Sequence, residues 1–221
     1  MKSIKDDTLF KVNLGLLVIA LLVVIFNSYQ LAQIGQIERS VTANTIAGIT
    51  SSVIPTGVPG IYGSELGISF DDVSASDPNK ADATIKKLGN LDMSITLSDI
   101  DKERYINVLY KMENGISCEY CCGARAIIFD NGEPACGCAH SYAMRGLAKY
   151  LLTKHGSEYT DAQILEEVGK WKTLFFPSIL QQKAAVLASK GIELNYINIA
   201  SNKYRGIEKG SAEGGSMVGG C

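Results

Sequence analysis

The 221-residue chain carries 21 Lys and Arg against 23 Asp and Glu, a formal charge of −2 spread along the sequence without a basic block. Such a length suits one modest domain with an anchor and tails, and such a charge pattern excludes a surface built to track nucleic-acid phosphates. Six cysteines are few for a disulfide-stapled miniprotein and five of them lie within residues 118 to 138, which favours local chemistry over a global framework, and neither of the two histidines has a nearby Ser or Asp pattern that would suggest a hydrolytic triad.

Residues 1–11 are expected to be a cytoplasmic N-terminus. No charge occurs between Lys11 and Glu38, and Leu14 to Phe26 is apolar apart from Gly15. A bilayer needs about 20 residues of helix, so a transmembrane helix is expected over residues 12–34, with Asn27, Ser28 and Tyr29 at the interface. A cleaved secretory signal is the alternative, because its apolar region runs to about 7 to 15 residues; no good small-x-small site follows the run. Lys2, Lys5 and Lys11 precede the segment and only Arg39 follows closely, which orients the N-terminus inward and the remainder outside the cytoplasm. The lipid bilayer is therefore the expected partner through residues 12–34, and the protein is read as a single-pass cell-membrane protein.

Residues 35–67 read as a stalk or wrap, since Pro55, Gly57, Pro59, Gly60 and Gly63 interrupt regular structure. An extracytoplasmic domain is expected over 68–205. Asp77 before Pro78 caps a helix that runs to Leu88, with Gly89 as its stop. A second helix starts at Ser98, carries Ile100, Tyr105, Ile106, Leu109 and Tyr110, and ends near Asn114 and Gly115. Beyond the cysteines, Ser141 to Lys154 predicts a helix closed by His155 and Gly156. Thr160 with Gln163 forms a capping box for another, with Ile164, Leu165, Val168, Trp171 and Phe175 at helical spacing and Pro177 at its end. A helix over Ser178 to Lys190 and a strand over Ile192 to Ile199 follow. Residues 206–221 read as a flexible Gly-rich tail ending in Cys221. Trp171, Phe175 and Phe176 are most simply core.

Five cysteines lie between residues 118 and 138. Asn131-Gly132 between two short runs signals a β-hairpin, because those residues tolerate the positive φ of tight turns. That hairpin would fold Cys136 and Cys138 back onto Cys118 and Cys121, giving a treble-clef-like order of knuckle, hairpin and helix. Tetrahedral zinc takes four such ligands, usually as two Cys-x2-Cys pairs about 15 to 20 residues apart. Here the gap is 14 residues and the second pair is Cys-x-Cys. Cys122 is the spare thiol, interchangeable with Cys121, and His140 is a further candidate ligand. Zn²⁺ is the expected ion, with Cu⁺ as the softer alternative. Structural disulfides are the competing expectation for an exported chain, although vicinal Cys121-Cys122 and Cys136-x-Cys138 are strained pairings. A thiol-disulfide oxidoreductase or electron carrier is a third, with Cys136 or Cys138 activated by the following helix. A disulfide-stabilised module that binds a partner through its aromatic helix face is a fourth, and no residue pattern identifies a catalytic reaction.

The run Cys118-x-x-Cys121-Cys122-Gly123, Cys136-Gly137-Cys138-Ala139-His140-Ser141-Tyr142-Ala143-Met144-Arg145-Gly146-Leu147, then Trp171-Lys172 and Phe175-Phe176-Pro177, resembles a group of uncharacterised archaeal membrane-anchored proteins, which implies no activity. Cys136-Gly137-Cys138 also resembles the last three positions of the Pro-Cys-Tyr-Cys-Gly-Cys motif of a family of bacterial exported proteins, a likeness that implies a metal association. The expected fold class is α+β, mainly helical: one N-terminal transmembrane helix and a small globular domain with a Cys-bearing β-hairpin followed by a helix.

Overall fold

The computed structural model describes residues 11, 14, 16–29, 48, 53–209 and 217–219. The chain divides into two units, Met1–Ala47 and Gly48–Cys221. In the first, residues 16–29 are helical with exposed side chains. Among the described residues no helix is long and apolar enough to cross a membrane. The expected transmembrane helix over 12–34, and the single-pass membrane location built on it, are corrected accordingly; residues 12, 13, 15 and 30–34 of that segment lie outside the described ones.

The second unit is helical: α1 (Gly60–Leu66), α2 (Pro78–Ser94), α3 (Asp99–Ile106), α4 (Ala139–His155), α5 (Asp161–Phe175), α6 (Pro177–Ser189) and α7 (Tyr196–Ala200). Asp77, Ser98 and Thr160 each accept a backbone N–H of the first turn of their helix, and Thr160 and Gln163 close a reciprocal capping box, which satisfies donors that a helix start leaves orphaned. Helix α1 forms where glycines and prolines suggested no regular element; Gly67, at φ 56°, ends it.

Helix α2 runs through Gly89 to Ser94 instead of stopping at Leu88, because α2 and α4 form the most extensive helix pairing of the fold. Their close approach centres on Gly146, where an added Cβ would lie 2.0 Å from the Leu88 carbonyl oxygen. Across the same interface the buried Arg145 guanidinium donates to Asp92 at 2.7 Å, and Lys149 reaches Asp92 at 2.8 Å. Trp171, Phe175 and Phe176 are buried in the core, and the Trp171 indole N–H donates to the Tyr62 hydroxyl at 2.9 Å.

The α+β expectation, with its treble-clef-like hairpin, is also corrected. Among the described residues there is no sheet and no hairpin, only isolated antiparallel bridges pairing Ile116 with Ser201 and Ile128 with Pro134. The turn at Asn131-Gly132 does form: Gly132 has φ 87°, and its N–H donates to the Phe129 carbonyl at 3.1 Å. Backbone bonds from the Phe129 N–H to the Glu133 carbonyl at 2.8 Å and from the Ala135 N–H to the Ile127 carbonyl at 3.1 Å flank the Ile128–Pro134 bridge, which stays isolated and builds no strand pair. The strand expected over Ile192–Ile199 is replaced by α7, whose start is capped by the Asn195 side chain accepting from the Asn198 N–H at 2.8 Å.

Candidate metal centre

Cys118 lies in the buried segment that follows Gly115, whose φ of 78° turns the chain back beneath the π turn Asn107–Lys111. Cys136 and Cys138 arrive from the Asn131-Gly132 turn, and Cys138 is the N-cap of α4, its sulfur accepting the Ser141 N–H at 3.4 Å. The Cys136 carbonyl is pinned by the Arg145 guanidinium at 2.7 Å. The Sγ atoms of Cys118, Cys136 and Cys138 all lie within 4.8 Å of one another, a spacing that could hold a metal ion. Cys118 is 3.3 Å from Cys138, and Cys136 is 3.6 Å from it. Sulfurs bound to one tetrahedral zinc at 2.3 Å sit about 3.8 Å apart, so only small adjustments separate this arrangement from a coordination shell.

Of the other expected ligands, Cys121 is not part of this three-thiol group. Cys122 is exposed, with its Sγ 2.6 Å from that of Cys136, and it too is outside the three-thiol group. His140 is buried against the rings of Phe175 and Phe176, and its Nε2 meets the Val218 carbonyl at 2.8 Å. It also makes a side-chain hydrogen bond to Cys138, so it steadies the cap sulfur from outside the three-thiol group. The structure has no disulfide bond at Cys118, Cys122, Cys136 or Cys138; Cys221 lies outside the described residues.

The electrostatics divide the thiols. A hydrogen bond from Cys118 pushes the Cys138 thiol down to about 2 against the cost of burial, with further help from His140 and Ser141. The same bond, with burial and the neighbouring Cys138 charge, drives the Cys118 thiol well above its usual range. The opposite shifts belong to a pair that shares a proton across the 3.3 Å contact, in which either sulfur can be the donor, at the positive end of α4. Burial, contact with Cys136 and that sulfur's charge raise the Cys122 thiol to about 11.

Beside Cys118 sits a group of buried charges absent from the sequence expectations. Glu119, in the left-handed region at φ 40°, turns its carboxylate toward Lys172 Nζ at 3.4 Å and Lys183 Nζ at 3.6 Å and accepts the Gly206 N–H at 2.8 Å. Both lysines are fully buried. Burial, then repulsion from Lys183, lowers Lys172 to about 8 even though Glu119 and Cys118 oppose the shift. Burial opposes ionisation of Glu119, but Lys172 and Lys183 outweigh it and hold the carboxyl below its usual range. Their signal was present in the pattern: Lys172 occupies a core position beside Val168, Trp171 and Phe175, and Lys183 another beside Leu180, Ala184 and Leu187. Ser141, whose hydroxyl lies 3.0 Å from Cys118 Sγ and 3.4 Å from Cys138 Sγ, was also signalled by its position three residues after the cap.

Comparison with protein-family models, with curated proteins and with solved structures finds no match to this chain.

Proposed function

We propose that the chain binds a soft, thiophilic metal ion through Cys118, Cys136 and Cys138, with Zn²⁺ as the leading ion and Cu⁺ as the alternative. The observation that carries this reading is the convergence of three sulfurs at the N-terminus of α4. Thiolates select Zn²⁺ and Cu⁺ over hard ions; three donors complete a trigonal Cu⁺ shell or leave one position of a zinc tetrahedron for another ligand. The hydrogen bonds that push the Cys138 thiol down favour the thiolate form that a metal requires, and the charge of Lys172 offsets part of the negative charge the cluster gathers. The site is built for holding an ion; no reaction is assigned to it.

The test is metal analysis of the full chain purified under reductant without chelator. About one zinc or copper per chain is expected, falling below a tenth in Cys118→Ser and Cys138→Ser and persisting in Cys121→Ser. Folded, fully reduced protein that takes up neither ion at micromolar concentration would refute the proposal. Binding must also expel the proton shared by Cys118 and Cys138, because metal ligands are deprotonated; proton release measured by calorimetry in two buffers of different ionisation enthalpy checks this.

A further inference from the structure

Cys122 stands outside the three-thiol group yet lies 2.6 Å from Cys136, closer than Cys138 lies to Cys118 or to Cys136. Non-bonded sulfurs require more room than this, so the two atoms must either separate or join. Both are held where they are. Arg205 donates to the carbonyls of Gly123 and Ala124 at 3.0 and 2.9 Å, clamping the loop that follows Cys122. Arg145 clamps the Cys136 carbonyl. The pair is also asymmetric: Cys122 is exposed to solvent, whereas Cys136 is buried behind it. An exposed thiol backed by a buried partner is the arrangement in which the first meets a soluble disulfide and the second resolves the product.

We infer that Cys122 and Cys136 form a reversible dithiol–disulfide couple whose substrate is a low-molecular-weight disulfide, and that closing it withdraws Cys136 from the metal centre. The Cys122 thiolate attacks one sulfur of the small disulfide, whose S–S bond breaks and releases one small thiolate. The Cys136 thiolate then attacks the Cys122 sulfur of the mixed disulfide and expels the second. Two protein thiols lose two electrons, the small disulfide gains them, and the two thiol protons end on the two small thiols released. A disulfide sulfur has no thiolate charge to offer a cation, so closure leaves only Cys118 and Cys138 as ligands. The release of metal rests on the metal-binding proposal above; the couple itself does not.

The test uses the reduced full chain loaded with zinc, treated with oxidised glutathione and followed by a chromogenic zinc chelator and by non-reducing peptide mapping. Wild type is expected to form the Cys122–Cys136 bridge and release one zinc per bridge, and reduction with excess dithiothreitol should restore zinc uptake. Exposed Cys122→Ser should still fold and bind zinc but release it at least tenfold more slowly. Mapping that finds Cys118–Cys138 as the first bridge, or release from Cys122→Ser at the wild-type rate, would overturn the inference. A chain that takes up no zinc yet forms the Cys122–Cys136 bridge selectively would support the couple while refuting the metal-binding proposal.

Discussion

Replacing Gly146 with Ala tests the packing on which the cysteine site is built. The added methyl carbon would lie 2.0 Å from the Leu88 carbonyl oxygen and 2.8 Å from the Asp92 amide nitrogen. Both are backbone atoms of α2 and cannot rotate away, so the helices must part by more than 1 Å near the contact to reach ordinary van der Waals distance. Forced overpacking typically costs about 1–3 kcal/mol and sometimes more, while Ala in place of Gly inside a helix returns roughly 0.5–1 kcal/mol. A net loss of about 2 kcal/mol is expected, which for a unit of this size lowers Tm by roughly 4–8 °C. Gly89→Ala supplies the contrast in the same interface, since its methyl would meet the Tyr142 Cβ at 3.3 Å and the propensity gain offsets the tighter contact. Urea and thermal unfolding of the reduced, metal-free chain read both variants. Gly146→Ala as stable as wild type, or no more damaging than Gly89→Ala, would refute the close helix crossing, and with it the placement of Arg145 against the Cys136 carbonyl.

Glu119→Gln removes the one carboxylate among the described residues within salt-bridge reach of both Lys172 and Lys183, and breaking a buried ion pair this way costs about 3–5 kcal/mol. Because the folded-state Lys172 pKa is lowered to about 8, the unfolded chain binds more protons between there and the ordinary lysine value. This group therefore adds stability as pH rises through that window, and raising the pH from 7 to 9 should recover part of the variant's loss in chemical denaturation. A loss below about 1 kcal/mol at pH 7 would contradict the buried charge network. His155 is held by Glu65 at Nε2 (2.8 Å) and Glu158 at Nδ1 (3.1 Å). Burial disfavours its charge, but the two carboxylates outweigh burial and raise its pKa. The stabilisation is fully present below the unfolded value near 6.5 and is lost as pH rises through the raised folded value. The Tm difference between wild type and His155→Gln should then be largest near pH 6 and shrink toward pH 9; a difference independent of pH would show that the imidazolium form contributes nothing.

Local signals were enough for most helices. Asp77-Pro78, Ser98, the Thr160–Gln163 box and Pro177 each mark a helix boundary through chemistry confined to a few residues, and the structure has helix starts at all four. The turn at Asn131-Gly132 and the core placement of Trp171 and Phe175 were legible for the same reason. Gly89 misled because a glycine inside a helix costs less than the packing of α2 against α4 returns, and that packing partner lies more than fifty residues further along the chain. The alternation over Ile192–Ile199 misled because eight residues fit either period, and the Asn195 cap decided for a helix.

At the cluster, residue order alone established which sulfurs were available and that a turn brings late ones back toward early ones. It could not choose among them, because knuckle spacing treats Cys121 and Cys122 alike. Side-chain direction separates them: Cys118 points inward to Cys138, Cys122 reaches Cys136 from the solvent side, and Cys121 stays out of the three-sulfur group. The buried charges of Glu119, Lys172 and Lys183 were likewise a decision of the tertiary structure. Three segments remote in the chain must meet before one carboxylate can face two ammonium groups away from water, and only that meeting makes their burial tolerable.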